Sequence, residues 1–311
     1  MHSTIVKKAF LFLPLFIIIT LACDLSVNIA PTNTVPTAMT TPNPVNDPPT
    51  TTPEVFISLT QAIPPTSVVQ PSPVTNTLVT FGRLTLEIPS SVASGASGSE
   101  IPPATNEDAA YWQKTPGHLQ VSLGDYYILQ GKFHQPQIYV YPAMAYVELV
   151  PAAFESMHRL RNVMNPIAPI TPDQLPAVPF LNAAQVFASN IQAISFQNGS
   201  GVRFLTEYAQ YPAPVNNYEL VYHFQGFSND GEYYVVAIFP ITVPVLPETG
   251  DAGATLPNAG IAYPFFADPD PETLQKYYED VSSLLNAASP DAFTPSISQL
   301  DALIQSMWVA P

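Results

Sequence analysis

Four side chains in the middle of the chain have the types and spacing that acid–base chemistry uses. Arg203 and Glu207 alternate with Val202, Phe204 and Tyr208; Glu219 and His223 alternate with Tyr218, Leu220, Tyr222 and Phe224. Successive side chains of a strand point to opposite faces, so each segment divides into an apolar and a polar side. If 209–217 joins the two as a hairpin, Arg203, Glu207, Glu219 and His223 share one face. A carboxylate beside a histidine can move a proton, and an arginine can hold an anion through paired N–H groups. The same four also suit a cross-strand polar ladder that does no chemistry. The ladder is the plainer expectation, and no residue is assigned a catalytic role.

Other chemistry-bearing patterns are sparse. The histidines are His2, His118, His134, His158 and His223, and no two have zinc-site spacing. Asp268, Asp270 and Glu272 alternate with prolines just before a helical pattern, where acids cap free amides and oppose the positive end of the helix dipole. Leu246-Pro-Glu-Thr-Gly250 spells a sortase motif, but neither an apolar span nor a basic tail follows it, so it reads as a loop. Gly95–Gly98 has no phosphate-binding lysine, and Asn198-Gly-Ser200 reads as a hairpin turn. No nucleophile elbow, Walker loop or dinucleotide fingerprint occurs. The expectation is no metal and no cofactor.

The composition narrows the classes further. The 311 residues hold 9 Lys+Arg against 24 Asp+Glu, a formal charge of −15, with 36 prolines and one cysteine. Nine cations cannot easily supply the basic face of a nucleic-acid binder. One cysteine excludes an internal disulfide framework. Lys7 and Lys8 precede an apolar run, AFLFLPLFIIITLA, over residues 9–22. That run is short against the roughly 20 residues of a membrane span, and a basic start followed by such a run reads as an export signal. Ile19-Thr20-Leu21-Ala22-Cys23 ends it with the only cysteine.

That ending resembles the lipobox of bacterial lipoproteins, with Thr20 standing where Leu is usual. The resemblance implies cleavage before Cys23 and a lipid on its sulfur. Two acyl chains anchor firmly where one is marginal. From Asp24 to Thr77 there is no Lys or Arg, and Thr, Pro, Asn, Ser and Val dominate. Such a segment has little apolar surface to offset ordering entropy and reads as a disordered stalk. It would reach about 40 Å as a coil and about 170 Å if fully polyproline-like. The expected organisation is a signal peptide over 1–22, a lipid anchor and stalk over 23–77, and one domain over 78–311.

The domain reads as α+β. Leu78–Ile88 alternates as a strand, with further strands at His118–Leu123, Tyr126–Gly131 and Gln137–Tyr141. Ala152–Val163 and Asn182–Asn190 read as helices. Between 191 and 243 the segments Ala193–Phe196, Val202–Tyr208, Tyr218–Phe227 and Tyr233–Val243 are rich in β-branched and aromatic residues, with turn residues at Asn198-Gly199, Pro214–Asn217 and Asn229–Gly231. That is an antiparallel meander. Two amphipathic helices, 271–287 and 296–308, close the chain. A sheet faced by a long C-terminal helix resembles the photosystem PsbP-type sandwich in order of elements alone.

The expected role is a membrane-tethered, extracytoplasmic binding or assembly module without enzymatic activity. The alternatives are a solute- or glycan-binding lipoprotein and an extracytoplasmic hydrolase working from the His223/Glu219 face. Dense aromatics such as Tyr111-Trp112, Tyr126-Tyr127 and Tyr233-Tyr234 suit a carbohydrate or protein ligand where they are exposed.

Overall fold

Antiparallel strand pairing organises the chain from Asn76 onward. The computed structural model describes residues 75–127, 131–165, 170–265 and 270–311. The expected signal, Cys23, nearly all of the stalk and Asp268 lie outside the described residues. The domain is α+β, with one seven-stranded and one three-stranded antiparallel sheet and four α-helices among the described residues.

β1 (Asn76–Phe81) and β2 (Leu84–Pro89) form a hairpin. The expected single strand over 78–88 is therefore two. The chain reverses at Gly82, whose φ of +52° suits a residue without Cβ. β10 (Trp308–Val309) returns from the C-terminus to pair with β2.

The large sheet contains β3 (Gly95–Ile101), β4 (His118–Gly124), β5 (Gln137–Pro142), β6 (Ala184–Phe196), β7 (Gly199–Ala209), β8 (Val221–Ser228) and β9 (Tyr233–Pro240). Its spatial order is β3-β4-β5-β9-β8-β7-β6. The meander from β6 to β9 is present. Tyr126–Tyr127 does not continue as a strand but follows β4 in a turn. Of the segment 182–190, read as a helix, residues 184–190 belong to β6: Phe187 packs into one core and Ala188 into the other, a period of two. Its helix-forming alanines are overridden by pairing along β7.

Helices cover both faces of this sheet. α1 (Ala143–Leu149) and α2 (Ala152–Val163) pack with Val202, Phe204, Val221, Tyr234 and Val236. α3 (Pro271–Ala287) and α4 (Ile297–Ser306) pack with Leu205, Tyr222, Phe224, Val235 and β2 on the other side. β8 and β9 are buried on both faces; β9 reads as a nearly continuous apolar run, whereas β8 carries the polar side chains of His223 and Gln225 into the interior. The helix starts follow local rules. Asp270 accepts from the Thr273 amide (2.9 Å) ahead of Pro271, and Ser296 accepts from the Gln299 amide (3.2 Å).

Gly226 is a packing requirement inside β8. It pairs with Gly201, and a Cβ there would lie 2.7 Å from the Phe224 ring and 2.8 Å from the Ser200 carbonyl oxygen. Gly226→Ala is expected to destabilise by about 1–3 kcal/mol through overpacking. Urea unfolding checks this, and an unchanged midpoint would contradict the packing account.

Candidate functional site

The four residues expected on one face do not share it. β7 pairs with β8 so that Arg203 stands opposite Phe224 and Phe204 opposite His223. Directly paired residues point to the same side of a sheet. Arg203 therefore faces α4, and His223 faces the α1–α2 layer. The expected grouping is corrected by this register, which is offset by one residue from the one that would align the four.

Arg203 is fully occupied. Its Nε donates to Asp301 Oδ1 (3.2 Å), and one terminal nitrogen donates to Asp301 Oδ2 (3.0 Å) and Gln192 Oε1 (2.6 Å). The other donates to the Asn190 carbonyl. Tyr222 adds a hydroxyl donor to Asp301 Oδ1 at 2.8 Å. This network pins α4 to the sheet and leaves little donor capacity for a ligand.

Glu207 and Glu219 do come together, through the loop over 210–220 rather than through strand register. Asn216 donates its amide to Glu207 Oε2 (3.1 Å) and its side-chain nitrogen to Oε1 (3.3 Å). The Asn216 Oδ1 accepts from the amides of Tyr218 and Glu219. Glu207 is fully buried. Burial first, then the charge of Glu219 and a hydrogen bond to it, pushes its carboxyl up to about 9 against the opposing Asn216 amide. It is a neutral acid at pH 7, sealed from solvent.

His223 is 1% exposed. Its Nε2 lies 3.1 Å from the Val178 carbonyl oxygen and its Nδ1 lies 2.7 Å from the Tyr208 hydroxyl. The neutral ring that donates from Nε2 and accepts at Nδ1 satisfies both. Burial pulls the ring's pKa down to about 3. Gln225 beside it accepts from the Val178 amide (3.2 Å) and the Tyr234 hydroxyl (2.6 Å), and donates to the Pro176 carbonyl (2.9 Å). These bonds moor the proline-rich loop that precedes β6. His134 lies on the other side of Tyr208, with ring centroids 6.4 Å apart, and burial lowers its pKa to about 4.

That loop creates a feature with the character of a ligand site. It crosses α2, tied by the Ala177 amide to Ser156 Oγ (2.8 Å), with Leu175 and Val178 buried beneath. Between the loop, α2 and the ends of β6 and β7 lies a groove of about 740 Å³. That size falls within the usual range for small-molecule clefts. Tyr111, Phe180 and Tyr208 supply aromatic wall; Glu155, Arg159, Asp173 and Gln185 supply polar groups. Tyr111 belongs to a short 3-10 turn, Tyr111–Gln113, and packs edge-on against Phe180 at 5.4 Å and Trp112 at 5.1 Å. Phe180 in turn rests on buried Tyr146 at 6.1 Å. Tyr111 is 50% exposed and Trp112 36%.

Arg159 distinguishes the groove. Of the seven cations beyond Lys8, six have partners: Arg83 lies over Tyr233, Arg161 over Phe227, Lys114 meets the Glu107 carbonyl, Lys132 Glu248, Arg203 Asp301 and Lys276 Asp280. Among the described residues Arg159 has no hydrogen-bond, ion-pair or ring partner, although Glu155 sits one turn away on α2. Sequence reading missed this residue, because an i, i+4 Glu–Arg pair on an exposed helix face looks like ordinary surface. Tyr111 stood among the candidate ligand-facing aromatics.

The remaining motifs are structural where they are described. The Leu246–Gly250 string is held to the domain by Asn217, whose amide donates to the Pro247 carbonyl (2.9 Å) and whose side chain donates to the Leu246 carbonyl (3.1 Å). Among the described residues no three His, Cys, Asp or Glu side chains converge as a metal cluster. Comparison with known protein families, with characterised proteins and with solved structures finds no match to this chain.

Proposed function

We propose that the chain is a lipid-anchored extracytoplasmic binding protein. Cys23 holds it to a membrane through acyl chains, the Thr/Pro-rich stalk carries the domain outward, and the groove beside α2 receives the ligand. The observation that carries the binding role is the unpartnered Arg159 in an aromatic-walled cleft. An arginine left without partners has donors to offer an incoming group.

The geometry favours binding over hydrolysis. His223 and Glu207 are sealed in the interior, with His223 committed through both ring nitrogens and Glu207 to Asn216. Glu207 and Glu219 lie toward α3, while His223 lies toward α2, so His223 does not pair with either glutamate to activate water on one face. The one cysteine at the end of the apolar run supports the tether.

Two measurements test the two halves. Cells fed a tagged fatty acid should label the parent protein, and Cys23→Ser should lose the label and leave the membrane fraction. Unchanged membrane association of that variant would refute the anchor. The full chain should also show a saturable rise in melting temperature with some member of a panel of sugars, peptides, lipids and divalent metals, since a native-state ligand at 100 Kd adds about 2.7 kcal/mol. If that rise survives Tyr111→Ala and Arg159→Ala unchanged, the groove is not the site.

A further inference from the structure

We infer that the groove beside α2 binds an oligosaccharide. The inference rests on the groove being the binding site and adds the class of ligand.

The polar groups of the groove make the first argument. Arg159 is all donor, Glu155 and Asp173 are all acceptor, and Gln185 is both. A ligand satisfying the set needs many groups that each donate and accept, which is the description of a sugar's hydroxyls. An anion would pair with Arg159 but meet Glu155 and Asp173, on a chain already at −15. A cation would meet Arg159. A purely apolar ligand would bury the guanidinium without a partner, which is costly.

The aromatic wall makes the second. Tyr111 is braced by Phe180, and Phe180 by Tyr146, so the exposed ring is held in place before any ligand arrives. A rigid aromatic offers contact area with little ordering cost, and its face suits the C–H side of a pyranose through weak C–H contacts. Trp112, 36% exposed, stands edge-on to Tyr111 just outside the groove.

A peptide fits less well. The wall formed by the loop has few backbone donors to offer an extended chain. Pro172 and Pro179 have none, and the Ala177 and Val178 amides are already bonded to Ser156 and Gln225.

Tryptophan fluorescence tests this directly. The chain has two tryptophans, and Trp308→Phe leaves Trp112 beside the groove as sole reporter. The full chain in detergent would be titrated with linear hexasaccharides of β-1,4-glucose, α-1,4-glucose and β-1,4-N-acetylglucosamine, and separately with a mixed octapeptide pool. A saturable change with at least one hexasaccharide is expected. Tyr111→Ala and Arg159→Ala should each weaken it at least tenfold with melting temperature preserved. Tyr211→Ala, 73% exposed and not part of the groove, should leave it unchanged. Titration by the peptide pool alone, lost in Arg159→Ala, would overturn the sugar assignment and keep the groove as a site. No titration by either, or sugar binding indifferent to both groove variants, would overturn the assignment and the groove together.

Discussion

Replacing Arg203 with alanine is expected to destabilise the domain by about 3–5 kcal/mol, the range for breaking a buried ion pair from one side. The guanidinium is 6% exposed and Asp301 17%, so the abandoned carboxylate has little water to turn to. The loss should also detach α4, because Asp301 is its polar link to the sheet through Arg203 and Tyr222. Arg203→Met combined with Asp301→Leu should recover most of the loss, since well-packed apolar pairs often match a buried salt bridge. Arg203→Lys should recover little, because one ammonium cannot reproduce the fork that serves Asp301, Gln192 and the Asn190 carbonyl. Urea unfolding of the three variants settles the matter; a loss below 1 kcal/mol for the alanine variant would mean that the network is ornamental. The proposed ligand binding should survive Arg203→Met/Asp301→Leu, as neither residue borders the groove.

The domain is expected to be most stable near pH 6.5, where the two opposing proton balances cancel, and to weaken on both sides. Glu207 governs the alkaline side. Its carboxyl is neutral in the fold up to about pH 9 and ionises above about 4.5 when the chain unfolds. The unfolded state therefore loses a proton that the fold keeps, and stability falls as pH rises between those values, by up to about 1.4 kcal/mol per pH unit. His223 and His134 govern the acid side. Their folded pKa values, about 3 and about 4, lie below the ordinary 6.5. Unfolding frees both rings to take protons, so stability falls as pH drops from about 6.5. Glu207→Gln keeps a neutral group of the same shape against Asn216 and Glu219 but cannot ionise. At pH 8 it should be more stable than the parent, by on the order of 2 kcal/mol or more, and near parity at pH 5. Melting temperatures from pH 4 to 9 provide the check. A parent profile that climbs from pH 6 to 9, or an equally steep alkaline slope in Glu207→Gln, would refute the buried neutral acid.

Both effects belong to residues whose types suggested chemistry and whose placement makes them structural. Arg203, Glu207 and His223 were legible as polar residues in apolar strands, but their polarity did not say whether they faced water. Each is satisfied inside the protein: Arg203 by α4, Glu207 by Asn216, His223 by Tyr208 and Val178. A buried polar group needs its partners brought to it, and those partners come from the neighbouring loop or strand for Glu207 and His223 and from as far as α4, 98 residues on, for Arg203.

What the amino-acid sequence determined by itself is what short-range physics controls. α2, α3 and α4 lie where apolar residues recur at helical spacing, and Asp270 and Ser296 cap the last two where their side chains can reach free amides. The order β7, β8, β9 follows from β-branched and aromatic runs separated by turn residues. The α+β class follows from that order. The tertiary structure decided the rest. Pairing with β7 made 184–196 a strand despite its alanines. One residue of register in β7–β8 sent Arg203 and His223 to opposite faces, a choice that alternation could not reveal because helices cover both sides of the sheet. The groove was likewise absent from any local pattern. It exists because the proline-rich loop is tied across α2 by Ser156 and Gln225, and only that crossing turns Tyr111, Arg159 and Asp173, far apart in the chain, into the walls of one cleft.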